Sequence, residues 1–161
     1  MGKKVLTLDY REEFDFLLLG IISHYRDYQV CHEINKTLGT DFERQDDFTL
    51  QMERKGSKGV FAVFQHRSED EEDFFIVSNK GTGGLFISSL KHIDFFMMIR
   101  NHSRYTSIED LSRKLKSMRL ISSIVPLDPP AIKSADNFLY IEYTDPETKR
   151  EKEDKEALNK L

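Results

Sequence analysis

Most of the side chains that could take part in catalysis or ligand binding lie in the first third of the chain. His24 and Asp27 are three positions apart, so on a helix they can share a face and form an imidazole–carboxylate pair, a base with its orienting group. Asn35 and Asp94 complete this candidate catalytic or ligand-binding set. The alternative, which we favour, is a packing contact in the first helical turn, where the helix dipole favours Asp27.

Cys31 is the single cysteine, so no internal disulfide can form and a disulfide-stapled secreted scaffold is excluded. A thiol nucleophile would need His24 or His32 as its base. On a helix, however, His32 points about 100° away from Cys31, and His24 lies seven positions back. A cysteine on an apolar helix face is typical of the core, and we predict that Cys31 is buried there.

The sequence predicts neither a metal nor a cofactor. The histidines show none of the HxH, HxxxH or HExxH spacings of metal ligands; they are His24, His32, His66, His92 and His102. The glycine-rich run at residues 80–84 lacks both phosphate-binding spacings, GxxxxGK[ST] and GxGxxG. A tight turn between strands is therefore expected at this run.

A basic segment follows in the second half of the chain, although the net charge of the whole chain is -4. Its cations can contact phosphates and Tyr105 can stack on a base, which keeps nucleic-acid binding through residues 100–119 as an alternative. The acidic balance and the absence of an RNP-type aromatic motif argue against that function. The cations are Arg100, Arg104, Arg113, Lys114, Lys116 and Arg119.

Hydrophobic periodicity predicts the elements that position these groups. An apolar strand ends at Ile22, and a helix from His24 to Leu38 is expected, with Ser23 as its N-cap and Gly39 at its C′ position. A second helix is expected after Ser107, which with Asp110 resembles a capping box. Further strands are predicted at Phe48–Met52, Val60–Phe64, Phe74–Val77, Ile93–Ile99 and Ile121–Val125.

Short connections in the middle of the chain favour an α+β fold, with a mainly antiparallel sheet of about five or six strands and two principal helices. Residues 1–143 are expected to form this single domain. Residues 144–161 are dense in Glu and Lys and are expected to be a frayed or disordered tail, or else a solvated helix. The longest apolar run is too short to cross a membrane, and no signal-peptide core forms, so a cytoplasmic protein is expected.

The block from Phe16 to His24, together with Asp27-Tyr28, Cys31, Asn35 and Leu38, resembles the start of the IPExxxVDY family of small Bacteroidetes proteins. The naming motif would fall on residues 87–95, where Ile87 and Asp94 match and Ser88 and Ser89 replace the Pro and Glu. The resemblance spans roughly residues 14–139. It implies a bacterial cytosolic protein and supplies no catalytic mechanism.

Several predicted strands are apolar on both faces, which two helices alone would not cover. Either further structure of this chain covers the second face, or another protein chain does, and a homodimer would be the simplest such partner. We therefore expect a non-enzymatic interaction module that associates with itself or with another protein, without cofactor, metal or membrane. The candidate interaction surface is formed by Phe61, Val63, Phe74, Phe96 and Met98.

Overall fold

The computed structural model of the chain describes residues 14–52 and 56–160. Its centre is a six-stranded sheet in which every neighbouring pair is antiparallel, in the order β10–β1–β9–β6–β5–β2. These strands are β1 (Leu17–Ile22), β2 (Glu43–Arg44), β5 (Val63–Arg67), β6 (Asp73–Ser78), β9 (Phe95–Arg100) and β10 (Ser123–Leu127). Two hairpins are separate from this sheet: β3 (Phe48–Gln51) with β4 (Lys58–Phe61), and β7 (Lys80–Gly81) with β8 (Gly84–Leu85). The predicted α+β fold with a mainly antiparallel sheet is confirmed.

Three helices accompany the strands in the described part of the chain: α1 (Asp27–Leu38), α2 (Ile108–Lys116) and α3 (Pro146–Asn159). None of the helices in residues 14–52 and 56–160 is long and apolar enough to cross a membrane. The caps follow local chemistry at two places. Gly39 ends α1 in the left-handed conformation, at φ +69°, and Ser107 Oγ accepts a hydrogen bond from Asp110 N at 3.2 Å.

The predicted N-cap of α1 is wrong, because the helix begins later than expected. Arg26 occupies the cap position, and its backbone N–H donates to Gln29 Oε1 at 3.0 Å. Ser23 is buried and its hydroxyl donates to the Leu120 carbonyl at 2.6 Å. The Ser23 side chain, predicted from local sequence to cap the helix, therefore contacts the segment before β10 instead.

Helices α1 and α2 cover one face of the sheet. Val30, Cys31 and Ile34 of α1 are buried, as is Leu115 of α2. They pack against sheet residues such as Phe95 and Met97. Each buried aliphatic or aromatic side chain of this kind contributes about 1.5–3 kcal/mol relative to exposure.

The opposite face is covered by the same chain, without a helix of comparable length. The cover consists of the β3–β4 hairpin, the segment at 84–93 and two 3-10 turns, Pro129–Ala131 and Ala135–Tyr140. The ring of Phe138 lies 4.9 Å from the ring of Phe86 and 5.1 Å from that of Phe96, measured between centroids. Of the two alternatives for the second apolar face, local structure of this chain is therefore the one observed.

The run Val60–Phe64, predicted as one strand, is divided at Ala62 between two sheets. Phe61 at the end of β4 belongs to the core under the hairpin, whereas Phe64 of β5 belongs to the core under the helices. The chain therefore passes from the covering layer into the main sheet within three residues. An unbroken apolar run carries no local signal for that passage.

The C-terminal part of the domain is tied to β5 before the chain enters α3. The Gln65 side chain donates to the Thr144 carbonyl at 2.7 Å and accepts from Thr144 N at 2.9 Å, as a neighbouring strand would. Asp145 then caps α3 by accepting from Glu147 N at 2.9 Å. The described side chains of α3 are exposed, so this helix adds nothing to the core of the domain.

Candidate functional site

The predicted His24–Asp27 pair is not formed. No hydrogen bond or ion pair joins the two side chains within the described residues, and His24 is exposed. Asp27 Oδ1 accepts from Tyr28 N at 2.7 Å, and Asp27 Oδ2 lies 3.4 Å from the Arg44 guanidinium. Because α1 begins at Asp27, His24 precedes the helix, and the three-residue spacing no longer places both groups on one helical face.

Asn35 has a structural role at the end of α1. Its Oδ1 accepts from Thr40 Oγ1 at 2.9 Å and from Phe42 N at 2.7 Å, and its Nδ2 donates to the Phe42 carbonyl at 3.2 Å. These bonds hold the connection that leads from Gly39 to β2.

Asp94 is likewise occupied by contacts within the chain. Its Oδ2 accepts from Ser23 N at 2.9 Å, and its Oδ1 forms an ion pair with Lys80 Nζ at 2.7 Å. The carboxylate thus joins the end of β1 to the chain entering β7. It positions backbone and is not available as a general base.

The prediction that Cys31 belongs to the core is confirmed, since its side chain is buried among the residues under α1. Burial strongly raises the pKa of the Cys31 thiol, and the nearby Asp27 carboxylate raises it further. The thiolate needed for nucleophilic chemistry is therefore suppressed.

The glycine-rich run forms the β7–β8 hairpin and packs tightly on β4. Val60 N donates to the Thr82 carbonyl at 2.9 Å, and Thr82 N donates to the Val60 carbonyl at 3.0 Å. A Cβ on Gly81 would lie 2.3 Å from the Val60 oxygen, so the backbone approach requires glycine there. The tight turn expected between strands is thus what these glycines form.

Asn79 is the structurally important polar residue that the sequence interpretation missed. It is fully buried, and its Nδ2 donates to the carbonyls of Leu90 and Ile93, both at 2.8 Å. Its Oδ1 accepts from Ile87 N at 2.8 Å. The available signal was an uncharged polar residue at the end of the apolar strand β6, directly before a glycine-rich turn.

The five predicted interaction-surface residues lie inside the domain. Phe61, Phe96 and Met98 have no exposed surface, Val63 is 5% exposed, and Phe74 is partly buried between layers. They do not form an accessible apolar surface, because the chain supplies its own cover for both sheet faces.

The cations of residues 100–119 do not form one continuous surface. Arg100 points inward and donates to the carbonyls of Phe138 and Ile141, and burial lowers the pKa of its guanidinium. Arg113 pairs with Asp110 at 2.8 Å. The Arg104 guanidinium lies 5.5 Å from the centroid of the Tyr105 ring, and Tyr105 itself is 84% exposed.

A different surface brings together residues that are distant in sequence. A groove of about 880 Å³ runs between α1 and the turn that follows α2, and we call it the α1–turn groove. Tyr28, His32 and Lys36 line its helical side at a spacing of four residues, and Arg119 and Leu120 line the opposite side. The remaining lining residues are Gln29, Glu33 and Thr37.

The turn side of this groove is held in place by hydrogen bonds. The two carboxylate oxygens of Glu33 accept from Arg119 N at 2.9 Å and from Leu120 N at 3.1 Å. The Ser23 hydroxyl holds the Leu120 carbonyl, and Ser122 N donates to the Ile22 carbonyl at 2.8 Å. The groove is therefore built from two elements fixed to the end of β1.

No family model matches the chain, and neither a curated protein nor a solved structure matches it. Within residues 14–52 and 56–160, no group of three or more His, Cys, Asp or Glu side chains could hold a metal ion. The geometry of the α1–turn groove is therefore the main basis for a functional proposal.

Proposed function

We propose that the chain is a non-enzymatic cytosolic module that binds another protein through the α1–turn groove. The observation that carries the proposal is the exposed ring of Tyr28, 58% accessible, at the side of a concave surface of about 880 Å³. Tyr25, three residues earlier, is 45% accessible. Most other large apolar side chains of the described residues are packed into the two cores.

The chemistry of the groove is that of a protein interface. Tyrosine and arginine are enriched at binding hot spots, because each offers a large contact area together with hydrogen-bonding groups. Tyr28 and Arg119 stand on opposite sides of the α1–turn groove, with Leu120 adding an apolar contact. The hydrogen bonds of Glu33 hold the two sides together, which lowers the entropic cost of binding.

The alternative of an enzyme or small-ligand binder has less support. Asp27, Asn35 and Asp94 each use their side chains in contacts that hold backbone or a neighbouring cation. His24 is left without a carboxylate partner among the described residues. A catalytic base needs a second group that orients it and a cleft that holds the substrate, and within the described residues His24 is given neither.

Self-association has less support. The sequence argument for it was an uncovered sheet face, and this chain covers both faces of its sheet. Edge-to-edge pairing is also disfavoured by the outer strands. The strand β2 has only two residues, Glu43 and Arg44, and β10 contains Pro126, which lacks a backbone donor. A different protein is therefore the partner that we propose.

We also propose that the resemblance to the IPExxxVDY family reflects a shared architecture. Its two matching residues have structural roles, which supports this proposal. Ile87 N is held by Asn79, and Asp94 joins Ser23 to Lys80. A structural role in the segment before β9 would account for this sequence motif without a catalytic function.

Site-specific photo-crosslinking in the cells that produce the protein tests the function. A photoreactive phenylalanine analogue replaces Tyr28 in one variant and Tyr140, which is 64% exposed and does not line the groove, in the control. We expect one discrete covalent adduct at position 28 that is absent at position 140. Equal labelling at both positions, or no adduct at position 28, would contradict binding through the groove.

A further inference from the structure

We infer that the α1–turn groove binds an acidic peptide segment of its partner, an inference that rests on the proposed function. The exposed side chains of Lys36 and Arg119 belong to opposite sides of the groove. Neither forms an ion pair with another described residue. Two permanent cations facing one concave surface attract a carboxylate-bearing ligand.

Further cations stand next to this groove. The last turn of α2 carries Arg113, Lys114 and Lys116, immediately before the turn that contains Arg119. Arg113 forms an ion pair with Asp110 of the first turn, whereas Lys114 and Lys116 form none with another described residue. The end of α2 that leads to the turn with Arg119 is therefore basic through these two lysines.

Glu33 is the acidic residue of the groove, and it forms no ion pair with Lys36 or the Arg119 guanidinium. Both of its oxygens accept backbone N–H groups, from Arg119 and Leu120. The lining thus carries two cationic side chains against one carboxylate, so it retains an excess of positive charge. This excess is complementary to an anionic ligand.

A peptide fits these features better than a small acid or a nucleic acid. Tyr28, His32 and Lys36 extend over nine residues of helix, about 12 Å from the first to the last, which matches three to four residues of extended peptide. The groove is open and has no buried polar side chain that would read a small ligand. A polyphosphate needs a row of cations, whereas the lining of the groove supplies two, Lys36 and Arg119.

The expected mode of binding follows from the two kinds of lining side chain. Carboxylates of the ligand pair with Lys36 and Arg119, and an apolar or aromatic side chain packs on Tyr28 and Leu120. The charged contacts are solvent-accessible, so they contribute mainly to association rate and partner choice, and they weaken as salt is added.

Selection from a random twelve-residue peptide library displayed on phage tests the inference, with the full chain as bait. The selected peptides are then synthesised and their affinities measured by fluorescence anisotropy. The variants are Lys36→Glu and Arg119→Glu, and the matched control is Lys133→Glu, an exposed lysine outside the groove. Circular dichroism verifies that each variant is folded.

We expect peptides enriched in Asp and Glu, each charge reversal in the groove to weaken binding at least about fivefold, and Lys133→Glu to change it less than about twofold. Peptides without acidic enrichment, or acidic peptides that bind Arg119→Glu equally well, would overturn the inference. Tighter binding of a single-stranded oligonucleotide to the same residues would also overturn it, in favour of nucleic acid.

Tyr28→Ala separates this inference from the proposed function. Selected peptides that are not acidic, but lose affinity in Tyr28→Ala, refute the acidic ligand and leave protein binding through the groove intact. If no selected peptide depends on Tyr28, Lys36 or Arg119, both the acidic ligand and the groove function are refuted.

Discussion

Asn79 holds together the segment that carries the matching residues Ile87 and Asp94. Its side chain makes three hydrogen bonds in a position without solvent contact, to Ile87, Leu90 and Ile93. Its backbone N–H donates to the Asp94 carbonyl at 2.9 Å, and its carbonyl accepts from Phe86 N at 2.8 Å. One residue therefore fixes both ends of the segment that leads into β9.

Asn79→Ala should lower the free energy of unfolding by about 2–4 kcal/mol, because buried backbone groups lose their partners and cannot be solvated. Urea unfolding followed by circular dichroism measures the change. Asn137→Ala is the control: this partly buried side chain donates once, to the Phe86 carbonyl at 2.9 Å, and its loss should cost about 1 kcal/mol. Equal effects of the two substitutions would contradict the role given to Asn79.

His66 is a second residue whose environment has a measurable consequence. Its ring lies between Phe42 and Phe74, with centroids 5.6 and 5.8 Å away, and its Nδ1 accepts from Asp41 N at 3.1 Å. Burial lowers the pKa of His66 below its ordinary value, although the Asp41 carboxylate opposes this shift. The folded chain therefore favours the neutral imidazole.

The unfolded chain binds a proton at His66 more readily than the folded chain, so protonation favours unfolding. The stabilisation is complete above the ordinary pKa of 6.5 and is lost as the pH falls below it. Urea titrations between pH 7 and pH 5 should show stability decreasing in the wild type and decreasing less in His66→Phe. A His66→Phe slope equal to that of the wild type would exclude this role.

At the residue scale, the sequence predicted what local chemistry decides. Gly39 ends α1, Cys31 is buried, and Ser107 accepts the N–H of Asp110, each from its type and place in a short pattern. The prediction for Ser23 as N-cap was wrong because Leu120, distant in sequence, takes its hydroxyl. The α1–turn groove could not be predicted either, since the bonds of Glu33 bring it together across 86 and 87 positions.

At the element scale, the two 3-10 turns at 129–140 form part of the core cover. Phe138 has no exposed surface, and its ring contacts those of Phe16, Phe86 and Phe96. Arg100 of β9 donates to the Phe138 and Ile141 carbonyls at the end of these turns. A segment with little regular structure is thus anchored by one aromatic ring and one guanidinium.

Phe138→Ala should lower the free energy of unfolding by about 3–5 kcal/mol, the usual cost of removing a buried phenylalanine ring. Tyr140→Ala, two residues later and exposed, should change it by less than about 0.5 kcal/mol. Chemical denaturation of the two variants compares them directly. A small effect of Phe138→Ala would mean that these turns do not seal the sheet.

Element types were predicted better than the layer to which each element belongs. In β9, Phe95 and Met97 belong to one core and Phe96 and Met98 to the other, as the two-residue alternation of a strand requires. The two-residue period of a strand is a local property, so the face to which each side chain points can be predicted from sequence. The layer that meets each face depends on distant segments, which is why Val60–Phe64 was predicted as one strand although it contributes to two sheets.

At the scale of the whole molecule, one chain keeps both faces of its central sheet dry. Helices α1 and α2 cover one face, and the β3–β4 hairpin, the 84–93 segment and the 3-10 turns cover the other. The domain therefore does not need a second copy to bury its apolar strands. Of the large hydrophobic side chains that remain exposed, which include Tyr105, Tyr140 and Leu158, Tyr28 is the one that lines the α1–turn groove.

The dependence of stability on protein concentration tests this claim most directly. A domain that buries both sheet faces within one chain should have the same urea midpoint across about a hundredfold range of concentration, and light scattering should report a monomer throughout. A midpoint that rises with concentration, together with a dimer that dissociates as the protein unfolds, would contradict it. That result would mean that a second chain completes the core.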